Sequence, residues 1–193
     1  LIGEQGIVPY GDGAPTHSLM GRFGNVMLIN GATDYRLSVQ RGEVVRFYVT
    51  NVANARTFNL TFGGARIKVV ASDLSKYEHE VWAASVPIAP AERYVVEVQF
   101  DEAGTVPIEN SIQAIDHFRG EFYPHVDLLG QVEVAEETVG NDLSAAFDEL
   151  RENRDVGEDI ASYRQYFDRS PDHEIELALE VGELPLVIIQ SME

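Results

Sequence analysis

The sequence predicts an all-β sandwich or barrel, and two observations support that prediction. Apolar and polar residues alternate in short segments between residues 25 and 134, which is the pattern of strands that bury one face. Turn-forming residue pairs separate these segments at spacings of roughly 10 to 25 residues, and no helical period intervenes. Many short strands joined by tight turns are typical of antiparallel sandwiches and barrels.

The predicted elements begin with an extended lead-in over residues 1–21, which are rich in Gly and Pro and have no regular period. The main domain is expected over residues 22–138. Its clearest half-buried strands lie at residues 45–49, 58–62 and 94–100, where alternate positions are apolar. The predicted turns between strands are Asn30-Gly31, Arg41-Gly42, Gly63-Gly64, Ala89-Pro90 and Ala103-Gly104.

Two short amphipathic helices are predicted between residues 136 and 170, because apolar residues recur there at intervals of three and four. A charged stretch, residues 151–159, is expected to form a surface turn between them. The helices make up a connector over residues 139–170. Its apolar positions are Leu143, Ala146, Phe147 and Leu150 in the first helix, and Ile160, Tyr163 and Phe167 in the second.

Alternation returns after Pro171, with apolar residues at 175, 177, 179 and 181, and an apolar run follows from Leu184 to Ile189. A complete all-β domain seldom adds its last hairpin through a long helical spacer. We therefore expect residues 171–193 to be the first strands of a further, truncated domain. Such strands would be loosely held or would pair with another molecule, because an uncovered strand edge invites pairing.

Composition excludes several classes of function. The chain of 193 residues carries 14 Lys and Arg against 32 Asp and Glu, a net charge of −18, which disfavours binding to nucleic acid or to anionic membranes. It contains no cysteine, so thiol catalysis, disulfides and thiolate metal sites are ruled out. No run of 18 apolar residues exists to cross a membrane. The basic residues include only two lysines, and low lysine with high acid content is typical of salt-adapted proteins.

Two polar motifs suggest structural roles. Arg93 and Asp73 could form a partly buried ion pair with bidentate geometry, and the alternative is an exposed arginine beside Glu92 that contributes little. Asn30-Gly31 and Asn51 are expected to shape turns and close loops, since Asn tolerates positive φ and bonds to nearby backbone. A substrate-binding role for these residues is the less favoured interpretation.

Ligand-binding hypotheses are weaker. His117 and His125, with Asp116 and Glu121, could form a divalent-metal site, whereas a surface loop with aromatic anchors is the simpler interpretation. Clustered acids invite a calcium hypothesis, but no Asp-x-Asp-x-Asp-Gly loop is present, and acids beside helices usually form a solvated face. These acids are Asp12, Asp127, Asp142, Asp148, Glu149, Glu152, Asp155, Glu158 and Asp159.

Three further sequence patterns give little support for a ligand-binding or catalytic role. Asn59-Leu60-Thr61 matches the glycosylation acceptor, which is common by chance. Trp82, Tyr77 and Tyr94 could stack against a sugar, although core packing explains them more simply. The sequence lacks a Gly-x-Ser-x-Gly elbow and a Gly-rich phosphate loop, so hydrolase and nucleotide-binding functions have no support.

Four ordered segments resemble the second, copper-free domain of the multicopper oxidases, which has a cupredoxin-like Greek-key fold. In that family, a strand ending in Asn-Gly precedes a Gly turn and an Arg-bearing strand, and an Asn-x-Ala segment leads to an Asp, here Asp73. A Pro-Gly-Glu-Arg turn then opens a late strand. The matching segments are residues 24–31, 39–46, 51–58 and 89–93.

The resemblance implies that this chain holds no copper and no catalytic, cofactor-binding or metal-binding residues. The copper ligands of the family occur as His-x-His pairs and a His-Cys-His stretch, and neither pattern is present. The parent protein would use type 1 and trinuclear copper to couple one-electron oxidation of a reductant to reduction of dioxygen to water. The alternative is a copper-less relative of the bacterial cell-division type, acting as a scaffold or binding protein.

The same resemblance implies that the partners are flanking cupredoxin domains of the same polypeptide. It also implies an extracytoplasmic location, periplasmic or secreted. Self-association through residues 171–193 is a further possibility, whereas nucleic acid and membranes are not expected as partners.

Overall fold

The computed structural model describes residues 2–4, 6–8, 24–116, 119 and 121–175, and these residues form a β-sandwich followed by short helices. A two-residue strand pair near the N-terminus precedes the sandwich. The strands are β1 (Ile2–Gly3), β2 (Gly6–Ile7), β3 (Tyr35–Arg41), β4 (Glu43–Thr50), β5 (Phe58–Phe62), β6 (Ile67–Ser72), β7 (Ser75–Ala83), β8 (Val86–Ile88), β9 (Arg93–Phe100), β10 (Gly104–Asp116) and β11 (Glu121–Thr138).

Two sheets build the sandwich. One has the strand order β3-β11-β10-β5-β8 and the other has the order β4-β9-β6-β7. All pairings are antiparallel except that of β3 with β11, which is parallel. The chain passes from the first sheet to the second at Arg41-Gly42, where Gly42 has a φ of 82° that a side chain would strain. The all-β sandwich that the alternation predicts is confirmed.

The core lies between the two sheets and follows the predicted alternation. The rings of Phe47, Phe62 and Phe100 form a central cluster, with Phe47 and Phe62 centroids 4.8 Å apart. Aliphatic residues from facing strands surround this cluster, because every second residue of a strand points to the same face. The fully buried members are Ile67, Val96, Val98 and Val132.

The connector differs from the prediction in its boundaries. Helix α1 spans only Ser144–Asp148, whereas helix α2 spans Arg154–Ala161 and is followed by a 3₁₀ turn at Arg164–Tyr166. The prediction of a surface turn over residues 151–159 is therefore wrong. Asp155 in the first turn favours a helix start at Arg154, because a negative charge there interacts favourably with the helix dipole. Contacts with β7 support this helix despite Gly157 in its interior.

The predicted packing of Tyr163 and Phe167 is not observed, and the predicted final strands lie mostly outside the described residues. The predicted second helix was expected to bury Tyr163 and Phe167, but both are exposed, and neither lies within α2. Residues 176–193, which contain most of the predicted final strands, lie outside the described part, as does most of the lead-in over residues 1–21. Within the described part, no helix is long and apolar enough to cross a membrane.

Gly130 is a point of close contact between β11 and β3. A Cβ atom on Gly130 would lie 2.8 Å from the Tyr35 carbonyl oxygen and 3.1 Å from its Cβ. We expect Gly130→Ala to lower the free energy of unfolding by about 1–3 kcal/mol, because the parallel pairing with β3 must shift. Urea denaturation measures this loss.

Gly140→Ala is the matched control, because a Cβ atom on Gly140 meets nothing within 4 Å. This variant should unfold at the same urea concentration as the parent chain, or slightly above it. Equal midpoints for the two variants would contradict the close contact.

Candidate functional site

A row of charged side chains crosses the outer face of the four-stranded sheet. Strand register places Arg46 opposite Glu97, Glu97 opposite Lys68, and Lys68 opposite Trp82. The neighbours of Arg46, Lys68 and Glu97 within their strands face the core, so these three side chains point outward. On an ordinary sandwich this face would be solvated. Here residues 142–161 of the connector cover it.

Lys68 lies at the centre of this covered face, with none of its surface exposed. Its Nζ donates to Oε2 of Glu97 at 3.0 Å, to the Ala146 carbonyl at 3.0 Å and to the Glu149 carbonyl at 3.2 Å. An ammonium group has three N–H donors, so every donor has an acceptor. Two of these acceptors belong to the connector.

Glu80 forms the second anchor, and only 2% of its surface is exposed. Arg151 donates to it through Nε at 2.8 Å and through its backbone N–H at 3.1 Å. Arg151 also lies 3.6 Å from Glu97, and Lys68 lies 3.8 Å from Glu80. Together with Arg46, which pairs with Glu97, these residues form one charge network: Arg46, Lys68, Glu80, Glu97 and Arg151.

Electrostatics within the charge network favour the ionised forms. Burial alone would raise the pKa of Glu97, but hydrogen bonds and charge from Arg46 and Lys68 outweigh it, so this pKa is lowered. The hydrogen bond from Arg46 to Glu97 raises the pKa of Arg46, and the bond from Arg151 to Glu80 raises that of Arg151. All three groups therefore remain charged at neutral pH.

Two packed aromatic side chains, Phe147 and Trp82, cover the charge network, and we call them the aromatic lid. Phe147 of α1 is 2% exposed, and its ring packs edge-on against Trp82 with centroids 5.0 Å apart. Lys68 Nζ lies 5.5 Å from the Phe147 ring centroid, and the Arg66 guanidinium lies 4.4 Å over the Trp82 ring. Cations over aromatic faces are attracted by the ring quadrupole. Outside the lid, Arg66 pairs with Asp148 at 2.7 Å.

The connector also adds backbone hydrogen bonds to the edge of β7. The N–H of Glu80 donates to the Arg151 carbonyl at 3.1 Å, and the N–H of Asn153 donates to the Glu78 carbonyl at 2.8 Å. The Asn153 side chain donates to the Tyr77 carbonyl at 2.7 Å. Residues 151–153 thus act as a short added strand, which protects β7 from pairing with other chains.

This arrangement holds two parts of the chain together. The donors of Lys68 are engaged and both buried carboxylates are paired, so the buried groups of the network serve structural contacts. Removing Lys68 would leave Glu97 and Glu80 with only their partly exposed arginine partners. Loss of a buried charge partner costs about 3–5 kcal/mol. The charge network is therefore a clamp between the sheet and the connector.

The structure brings Asp73 and Arg93 together, but not in the predicted geometry. Arg93 Nε lies 3.3 Å from Asp73 Oδ1, a contact through one nitrogen rather than two, and the side chains are 50% and 49% exposed. A half-exposed pair contributes about 0–1 kcal/mol. The backbone N–H of Asp73 donates to the Arg93 carbonyl at 2.9 Å, so the main chain also joins the two turns.

The predicted turn residues have structural contacts. Asn30 and Gly31 have positive φ of 51° and 83°, and form the turn between Ile29 and Ala32. The buried amide of Asn51 donates to the carbonyls of Arg56 and Ile88 at 2.8 and 2.9 Å. Asn51 thus closes its loop, as the sequence predicts.

The structure describes only some of the residues of the metal hypothesis. His117 lies outside the described residues. His125 Nε2 lies 2.9 Å from Asp127, whose other oxygen accepts from the buried Asn110 at 3.0 Å. In the described ranges, no three His, Asp or Glu residues are grouped so that they could hold a metal ion.

Three acidic residues of the calcium hypothesis interact with basic or polar partners on the surface. Asp148 pairs with Arg66 and Asp155 with Lys76. Asp142 accepts from the backbone and hydroxyl of Ser144, and these bonds lower the pKa of Asp142. The arrangement is that of a surface with ion pairs and a local turn before α1.

The remaining candidates favour the structural interpretations. The Asn59 amide donates to the Ser111 carbonyl at 2.8 Å, which argues for a chance match to the glycosylation pattern. Tyr77 and Tyr94 pack against the core, and burial is the main cause that raises the pKa of Tyr94. Trp82 lies between Arg66 and Phe147, so it offers no open sugar platform.

Sequence reasoning missed the charge network. The available signal was Lys68 itself, one of only two lysines, which stands between Ile67 and Val69 in an apolar strand. A charged residue in such a strand indicates a covered, paired face. Its partners lie far along the chain, and alternation does not identify them.

Comparison with known proteins assigns the fold to a family. A family model described as multicopper oxidase matches residues 11–120. The cell division protein FtsP of Proteus mirabilis is 33% identical over 107 residues, covering 54% of this chain and 22% of that protein. The multicopper oxidase LPR2 of Arabidopsis thaliana is 38% identical over 82 residues, covering 42% of this chain and 14% of that protein.

A solved structure gives the same result. The multicopper oxidase of Campylobacter jejuni, described as a metallo-oxidase, superimposes with a TM-score of 0.54 and 25% identity. The match covers 72% of this chain and 27% of that one. This chain thus spans about a quarter of the length of FtsP and of the Campylobacter protein, and less of LPR2.

The two lysines provide a matched test of the clamp. We expect Lys68→Met to lower the free energy of unfolding by about 3–5 kcal/mol, because Glu97 and Glu80 lose a buried partner. Lys76 makes only an exposed pair with Asp155, so Lys76→Met should leave the urea midpoint unchanged. Glu97→Gln should lower the free energy of unfolding less in the Lys68→Met chain than in the parent chain, because the pair between the two residues is already absent there. Equal effects of the two lysine variants would refute the clamp.

Glu97 also makes stability depend on pH. Because its pKa in the folded chain is below the ordinary value of 4.5, its contribution is complete above that pH and is lost as the pH falls through the folded value. We expect Glu97→Gln to show a shallower loss of stability than the parent chain below about pH 4.5. Thermal unfolding from pH 6 to pH 3 measures the slope, with the exposed Glu102→Gln as control.

Proposed function

Because the chain belongs to the multicopper oxidase family, we propose that it is the copper-free middle domain of a longer polypeptide, with the task of positioning its neighbours. Residues 22–138 would be the cupredoxin-like domain, residues 139–170 its connector, and residues 171–193 the first strands of the next domain. The observation that carries this proposal is the clamp. A connector held by buried charges fixes the direction in which the chain continues.

The donor groups of this chain do not fit the copper centres of the family. Type 1 copper needs a thiolate ligand, and the sequence contains no cysteine and no His-x-His pair. In the part of the chain that the structure describes, His79, His125 and His173 belong to no group that could hold a metal. No step through copper is assigned to this domain.

Positioning is what the residues of this chain can supply. The aromatic core and the two sheets give a stiff body, and the charge network fastens the connector to one face of it. In the proposed parent protein, copper in the flanking domains would supply one-electron oxidation of a reductant and reduction of dioxygen to water. The middle domain would set the distance and angle between those domains.

A second candidate is a copper-less scaffold or binding protein. It is favoured by the 33% identity to FtsP, a cell division protein. The clamp serves either candidate, because both need a domain that holds its neighbours rigidly. In both cases the proposed partners are flanking domains of the same polypeptide, and the proposed location is extracytoplasmic, as family resemblance implies.

The natural full-length gene product distinguishes these candidates. We expect it to contain stoichiometric copper by elemental analysis and to consume dioxygen with a phenolic or metal-ion reductant, whereas the chain of 193 residues does neither. A full-length product without copper and without oxygen consumption would support the scaffold instead. Stoichiometric copper with a blue absorption band in the 193-residue chain would refute the proposed middle domain.

A further inference from the structure

The stretch that follows α2 has an exposed group of aromatic side chains. Residues 163–167 continue in helical conformation through the 3₁₀ turn at Arg164–Tyr166, and side chains three positions apart eclipse in such a turn. Tyr163 and Tyr166 therefore lie on the same side, with Phe167 next to them. The three side chains are 58%, 55% and 66% exposed. We call Tyr163, Tyr166 and Phe167 the aromatic face.

The turn below the aromatic face is fastened in place. Arg164 pairs with Glu78 of β7. The N–H of Tyr166 donates to the Tyr163 carbonyl at 2.9 Å, and the N–H of Phe167 donates to the Arg164 carbonyl at 3.0 Å. Binding to a fixed backbone costs less ordering entropy than binding to a mobile one. Groups of exposed apolar side chains also mark interaction sites more often than isolated ones.

A polar cavity of about 340 Å³ lies beside the aromatic face, between β7 and α2. Its lining includes the carboxylates of Glu78, Glu152 and Glu158, and it extends to Ala161 at the end of α2. The 3₁₀ turn follows Ala161 directly, and Arg164 of that turn reaches Glu78. The cavity and the aromatic face are therefore neighbours, and the cavity is of the size that ligand sites occupy, about 300–1,000 Å³.

The charge around the aromatic face is negative. Residues 152–174 contain seven acids against three arginines, which leaves a net charge of −4 with the histidine neutral. Two of the arginines are already engaged, Arg164 with Glu78 and Arg169 with Asp172. The residues of this stretch that form no ion pair with another described residue are one arginine and five acids: Arg154, Glu152, Glu158, Asp159, Asp168 and Glu174.

Aromatic rings beside carboxylates are suited to guanidinium groups. A guanidinium stacks on aromatic faces and pairs with a carboxylate through two N–H groups, whereas an ammonium is a strongly hydrated point charge. The unpaired acids lie on both sides of the aromatic face, from Glu152 to Glu174. A ligand with several guanidinium groups along an extended chain matches this arrangement better than a single cation does.

We propose that the aromatic face and the adjoining cavity bind an extended, arginine-containing segment of a partner protein. Its guanidinium groups stack on Tyr163 and Phe167 of the aromatic face. They pair with Glu152 and Glu158, which line the cavity. This activity goes beyond the proposed positioning role, and it requires neither copper nor a flanking domain.

Charge argues against other occupants of the aromatic face. A second copy would bring together two molecules that each carry a net charge of −18, and anionic lipid or nucleic acid would meet the same repulsion. An apolar partner without basic groups would remove water from the neighbouring acids and offer them no compensating bond. A basic segment is therefore the occupant that this surface favours.

A peptide titration tests the contribution of the aromatic face. The probe is a synthetic peptide of alternating arginine and glycine, titrated into the 193-residue chain at about 0.15 M salt, where distant charges are screened. We expect Tyr163→Ser/Phe167→Ser to weaken binding roughly five- to thirtyfold, because two contacts between cations and rings are lost. The control Tyr48→Ser/Phe122→Ser removes an exposed tyrosine and an exposed phenylalanine of the sandwich, and should bind like the parent chain.

The same titration tests the charge of the cavity. Glu152→Gln/Glu158→Gln should weaken binding by about threefold or more, because two pairs with guanidinium groups are lost. The control Glu136→Gln/Glu137→Gln removes the same charge from two exposed positions of β11, and should leave the affinity nearly unchanged. A lysine–glycine peptide of equal length should bind the parent chain more weakly than the arginine peptide, because an ammonium does not stack on the rings.

Four results would overturn the proposal. Absence of saturable peptide binding is the first, and equal weakening by the two glutamate variants, which indicates general attraction to an acidic protein, is the second. A dimer of the chain that Tyr163→Ser/Phe167→Ser abolishes would assign the aromatic face to a second copy. Peptide binding by the 193-residue chain but not by the natural full-length product would assign it to a neighbouring domain. Urea midpoints equal to that of the parent chain verify that the variants are folded.

Discussion

The burial of Lys68 is the constraint on which the rest of the structure depends. A lysine with no solvent contact needs an acceptor for each of its three N–H groups, and the sheet supplies only the Glu97 carboxylate. The other two acceptors are carbonyls of the connector. The connector must therefore fold onto the sheet if the charge is to remain buried. The connector, which the sequence pattern presents as a separate linker, is physically part of the same folded unit as the sandwich.

The charge network also bears on the role proposed for this domain. The proteins that this chain resembles are multicopper oxidases and the cell division protein FtsP, and this domain contains no thiol. Its ionisable residues form structural pairs: Glu80 and Glu97 hold a connector, and Asp73 joins two turns. In the proposed role such a domain would contribute geometry, which a redox protein and a scaffold would both need.

Much of the fold was predictable because its rules are local. Alternation identified β4, β5 and β9, and Asn30-Gly31 identified a turn, since period and turn chemistry are written in neighbouring residues. The connector was less predictable, because the helix at Arg154 depends on residues of β7 that lie far away in sequence. The clamp was not predicted for the same reason. Lys68 was an unused signal of a covered face, and which residues cover that face is a tertiary fact that spacing does not encode.

The parallel pairing of β3 with β11 has a consequence for synthesis. Arg36 on β3 pairs with Glu133 on β11, 97 positions later in the chain. Until the ribosome has released residues 130–138, β3 is without its pairing partner, and its hydrogen-bonding groups remain open to other chains. Pairings of this range slow folding and prolong the exposure of strand edges. The nascent chain therefore passes through a window in which a chaperone could act, and that window closes only when β11 emerges.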